Sequence, residues 1–160
     1  MAIELIVATF EDDETKAGLA LQRVQDLARE GALVLEQAAT VVKTTEGEVK
    51  ITDVHESEPK KGAFYGAITG GLLGLIGGPA GVIAGSAIGA AAGGGLAKVS
   101  DHGVSNKMIK EIKAGLQPGS SAIIVYAQLA WVDKAIANLE QEGATVTHTT
   151  LTLDYVDDLV

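Results

Sequence analysis

Two hydrophobic patterns alternate along the chain. Ile3–Phe10 (IELIVATF) and Ser121–Gln128 (SAIIVYAQ) are nearly continuous apolar runs, rich in β-branched residues. Such runs predict strands buried on both faces. Each leads into an amphipathic helix, with Ala17, Ala20, Leu21, Val24, Leu27 and Ala28 at helical spacing after the first run. Val132, Ala135, Ile136 and Leu139 repeat that spacing after the second. A Glu-Gly pair follows each helix, and Gly31 and Gly143 read as their stops. Further strands are predicted over 33–45 and 145–153. Glu46-Gly47 turns the first of these into Val49–His55, whose weak apolar content suits a sheet edge. Val104, Met108, Ile109, Ile112 and Leu116 predict one more helix, capped by Asp101 and stopped at Gln117-Pro118-Gly119.

The order strand, helix, strand occurs twice with matching lengths and the same Glu-Gly step. That duplication predicts an α+β, ferredoxin-like sandwich of two βαβ units, with the apolar first strand of each unit at the sheet centre. Residues 1–58 form the first half and 100–160 an extra helix plus the second half. Residues 59–99 between them are an inserted Gly/Ala-rich antiparallel helical hairpin, expected to emerge with the extra helix at one end of the sandwich.

The insertion holds 36 residues without a charge, Gly62–Ala97. Gly62, Gly66, Gly70, Gly74 and Gly78 fall four apart, as do Gly77, Gly81, Gly85, Gly89 and Gly93. Residues four apart share a helix face, so each series makes a flat groove for close approach of another backbone. Gly77-Gly78-Pro79 is a breaker, giving helices over 63–77 and 80–97. The thirteen glycines of the span, at about 1 kcal/mol each against alanine, cost on the order of 10 kcal/mol. The helices therefore need close neighbours, lipid, or both. Phe64, Tyr65, Ile68, Leu72, Leu73, Leu75 and Ile76 lie off the glycine face and suit a greasy outer side. The second helix is small nearly all round, which is best explained by surrounding helices in a homo-oligomer. Replacing Gly70 and Gly85 by leucine is expected to break that assembly.

Charge narrows the setting. A net charge of −9 and a pI near 4.7 argue against a nucleic-acid partner, which selects for a basic face. With no cysteine there is no disulfide, thiolate metal site or cysteine nucleophile. The first residues lack the basic region and cleavage site of a secretory signal, so a cytoplasmic location is expected, with association at the inner membrane as an option. Lys60 and Lys61 before the uncharged stretch and Lys98 after it would mark its cytoplasmic side. Helices of about 15–18 residues rise roughly 22–27 Å, short of a ~30 Å hydrocarbon core. A shallow hairpin in lipid and an assembly burying its own hairpins are both consistent with that length.

Candidate chemistry is sparse. No glycine run ends in the Gly-Lys-Ser/Thr of a phosphate loop. Glu11, Asp12, Asp13 and Glu14 could offer oxygen ligands to a cation, but more simply cap the first helix and oppose its dipole. His55, His102 and His148 stand far apart without a second ligand at metal spacing. Trp131 reads as core or as a subunit anchor. No catalytic, cofactor-binding or metal-binding residue is assigned.

The GxxxG series followed by GVSNKMIKEIKAGLQPGSSAIIVY (Gly103–Tyr126) resembles an uncharacterised bacterial family of predicted membrane proteins of unknown function, with a glycine-zipper hairpin between two βαβ halves. The resemblance implies membrane association and brings no activity. The expected function is non-enzymatic: self-assembly through the glycine hairpin at or in the cytoplasmic membrane. The alternative is a small-ligand-binding sensor that oligomerises through buried hairpins.

Overall fold

Strands β1 (Ile3–Phe10) and β5 (Ser120–Gln128) pair antiparallel along their full apolar runs, from Ile3 opposite Gln128 to Phe10 opposite Ser121. Every residue of β1, and all of β5 but its last, is buried. Both faces of this pair are covered, which is why the runs do not alternate. The computed structural model describes residues 2–55, 65–66, 68–74, 83–85, 103–128 and 132–151.

The remaining described elements are α1 (Lys16–Arg29), β2 (Leu35–Lys43), β3 (Val49–His55), a helical segment α2 (68–74), β4 (Ile83–Gly85), α3 (Asn106–Gly115), α4 (Val132–Gln141) and β6 (Thr145–Thr150). The sheet order is β4-β3-β2-β5-β1-β6. Five strands pair antiparallel with their neighbours, and three-residue β4 runs parallel along the outer side of β3. The fold is thus a mixed α+β sheet structure. β5 lies between β1 and β2, and β1 lies between β5 and β6. Gly31, Gly47, Gly119 and Gly143 all take positive φ at the stops and turns read from the sequence. The extra helix starts later than expected: Ser105 is its cap, accepting the Met108 N–H at 3.1 Å. Asp101 lies outside the described residues.

Two apolar layers flank the sheet. On one face Ile6, Ala8, Phe10, Ile123 and Val125 meet Ala17, Ala20 and Val24 of α1 and Val132, Ala135 and Leu139 of α4. On the other, Ile3, Leu5, Val7, Ile124 and Tyr126 lie under Tyr65, Ile68, Leu72 and Leu73 and under Met108, Ile109 and Ile112 of α3. The described residues of the insertion between 65 and 74 therefore lie over the second face of the sheet.

This placement corrects the expected role of the insertion's large side chains. Tyr65, Ile68, Leu72 and Leu73 are core, not a greasy outer side. Burying Ile68, Leu72 and Leu73 contributes on the order of 5–8 kcal/mol. The glycines at 66, 70, 71 and 74 cost roughly 4 kcal/mol against alanine. Docking on the sheet outweighs the poor helix propensity. The expected helix over 80–97 is corrected as well: Ile83–Gly85 is extended and pairs with Val49–Ile51 of β3. The other residues of that expected helix are not among those described.

Candidate functional site

Gly66, Gly70 and Gly74 turn away from the sheet while the large side chains of the same segment face it. Gly66 and Gly70 are half-buried and Gly74 is exposed. A Cβ added at Gly66 or Gly74 would meet nothing within 4 Å among the described residues. Three of the glycines singled out by their spacing thus share one outward face, with room above Gly66 and Gly74 among the described residues. Gly85 does not join them, since it pairs in β4. Gly62, Gly78, Gly81, Gly89, Gly93, Lys60, Lys61 and Lys98 lie outside the described residues.

Beneath α2 the core carries a polar cluster. Tyr65 and Tyr126 stack with ring centroids 4.6 Å apart. The Tyr126 hydroxyl donates to the Tyr65 carbonyl at 3.1 Å, so its 2.7 Å contact with Thr69 Oγ1 has threonine as donor. Burial holds both phenols well above their ordinary pKa; the Glu36 charge adds to the effect at Tyr65, and the Thr69 contact partly opposes it at Tyr126. Gln37 is opposite Tyr126 in the β2–β5 register and shares its face of the sheet. It is 1% exposed, and neither Oε1 nor Nε2 has a hydrogen-bond partner among the described residues. Flipping the amide exchanges the two atoms and satisfies neither. Each unsatisfied group costs about 1–3 kcal/mol of desolvation. A register shift between Leu35 and Gln37 leaves Glu36 as the extra residue beside this point.

A second buried polar group lies on the opposite face. Glu4, 3% exposed, accepts from Thr150 Oγ1 at 2.8 Å, and its other oxygen lies 2.8 Å from His148 Nδ1. These contacts fasten edge strand β6 to β1, and the carboxylate orients an imidazole that is half exposed. Among the described residues no group of three His, Cys, Asp or Glu side chains could hold a metal. Both Glu4 and Gln37 are polar residues inside strands buried on both faces. That mismatch was a readable signal, but their partners depend on strand register.

The acidic loop has the simpler of its two expected roles at Asp13. Its Oδ1 accepts from the backbone N–H groups of Thr15 and Lys16, at 2.9 and 3.0 Å, and from Thr15 Oγ1 at 2.8 Å. The Thr15 side-chain bond, followed by its backbone bond, lowers the Asp13 pKa. Ser121 Oγ donates to the Asp13 carbonyl at 2.6 Å and accepts from Ala17 N–H at 3.2 Å, tying the start of α1 to β5. His55 lies on β3, opposite Gln37 in the register; His102 and Trp131 lie outside the described residues.

A family model described as a protein of unknown function, DUF1269, matches residues 63–160. The chain belongs to the DUF1269 family. The match takes in α2, β4, α3, β5, α4 and β6, and with them the outward glycines and most of the tyrosine cluster. No curated protein and no solved structure matches the chain. Among the described residues no helix is long and apolar enough to cross a membrane.

Proposed function

We propose that this DUF1269 protein is a non-enzymatic, ferredoxin-like domain that self-assembles through the glycine face of α2. The strand order β2-β5-β1-β6, with each βαβ unit straddling one strand of the other, supports the duplicated fold. One observation carries the assembly: Gly66 and Gly74 face open space among the described residues, while the large side chains of their own segment are buried on the sheet. A glycine face lets a neighbouring backbone approach closely, and side chains there would keep it away. The apolar face that a lipid-facing helix would present already packs on the sheet. That favours copies of the chain packing on each other over insertion of this segment.

Light-scattering mass of wild type and of Gly66→Leu/Gly74→Leu tests the reading. Both positions have room for a Cβ among the described residues, so the fold should survive, with an unchanged circular-dichroism spectrum and a reduced particle mass. A wild-type monomer, or a folded double variant of undiminished mass, would refute assembly through this face.

A further inference from the structure

Among the described residues of the second core layer, the Gln37 carboxamide is the group left without a hydrogen-bond partner. The neighbouring hydroxyls are committed: Thr69 to Tyr126, and Tyr126 to the Tyr65 carbonyl. Gln37 is closed off from solvent with both a donor and an acceptor idle. Native cores rarely leave even one such group unpaired, and a bound water or other guest is one of the ways in which such a group is satisfied. On the opposite face both Glu4 oxygens are engaged, by Thr150 and His148, and the other idle buried atom among the described residues, Asn138 Oδ1, is an acceptor alone.

We infer that Gln37 is the recognition group of a buried site, between β2 and α2, for a small neutral ligand presenting a donor and an acceptor side by side. The primary-amide edge has that arrangement: its carbonyl takes the Nε2–H and its N–H meets Oε1. A charge is disfavoured. An anion would face the nearly buried Glu36 and two phenols that burial keeps protonated. The stacked pair Tyr65–Tyr126 forms the wall beside the amide and limits the guest to a small one. This site is independent of assembly through the glycine face, which lies on the outward side of α2.

Acetamide is the probe, with acetate as its charged counterpart. Side-chain amide resonances of Gln37, assigned in the 15N-labelled wild-type protein, are followed during titration with each. The expected result is a saturable shift with acetamide, at least about tenfold weaker with acetate, and lost in Gln37→Met. Absence of saturation with acetamide overturns the proposal. So does an equal response to acetate, or exchange cross-peaks to a bound water that acetamide fails to displace. The titration uses wild type, so it decides the matter even where Gln37→Met misfolds. A failed titration with an intact particle mass would remove the ligand site and leave self-assembly standing.

Discussion

Gly115 closes α3 against the underside of β1, and it has no room for even one more carbon. A Cβ there would lie 2.8 Å from the Thr9 Cβ and closer still to its hydroxyl. Thr9 cannot yield easily, because its Cβ is fixed by a strand that is paired on both sides. Turning the hydroxyl away would also break its 3.4 Å bond to the Thr145 carbonyl. Forcing one methyl into a packed core costs about 1–3 kcal/mol, and the better helix propensity of alanine returns up to about 1 kcal/mol. Gly115→Ala should therefore destabilise the protein by a net ~1–2 kcal/mol. For a chain of 160 residues that is a fall in Tm of roughly 2–8 °C. Urea unfolding followed by circular dichroism measures it directly. Thr9→Ala removes the hydroxyl but keeps the Cβ contact, so the double variant should recover only part of the loss. A Gly115→Ala protein as stable as wild type would refute the claim that α3 and β1 meet without slack.

Tyr126→Phe keeps the stack on Tyr65 but leaves Thr69 without its acceptor, so a loss of about 1–3 kcal/mol is expected in the same urea assay. In Asp13→Asn the acid titration of the Thr15 and Lys16 backbone amides should vanish. In wild type the folded-state pKa of Asp13 lies below its ordinary value of 3.8. Its capping contribution is accordingly complete above that value and is lost as pH falls through the lowered one. Amide shifts that move only near or above the ordinary value would contradict the capping geometry.

The sheet was legible because its evidence is local. The apolar runs of β1 and β5, the helical spacing of Ala17, Ala20 and Val24, and the glycines at 31, 47 and 143 each declare an element within a few residues. The insertion was harder. Tyr65, Ile68, Leu72 and Leu73 form one apolar stripe, and a stripe does not say whether a sheet, a second helix or lipid covers it. Its cover here is the face of β1 and β5, which the sequence leaves unmarked. Glycines spaced by four across 77–93 suggested a helix, yet Ile83–Gly85 pairs with β3; periodicity in small residues does not outweigh an available strand edge. Glu4 and His148 are 144 positions apart, so their contact exists only once β6 is in register with β1.

The place of β1 in the sheet bears on what part of the chain can fold alone. Its two hydrogen-bonded neighbours are β5 and β6, both encoded more than a hundred residues downstream. During synthesis this mostly apolar strand emerges early and must stay without these partners until β5 and β6 have been made, a long-range closure that slows folding and exposes a sticky edge. The family-matched stretch, 63–160, contains β5 and β6 but not the strand between them. Alone it would be a sheet with its central slot vacant, and the N-terminal strand is the piece that fits the slot. The boundary of the family match and the boundary of the cooperative folding unit are therefore different lines on the same chain.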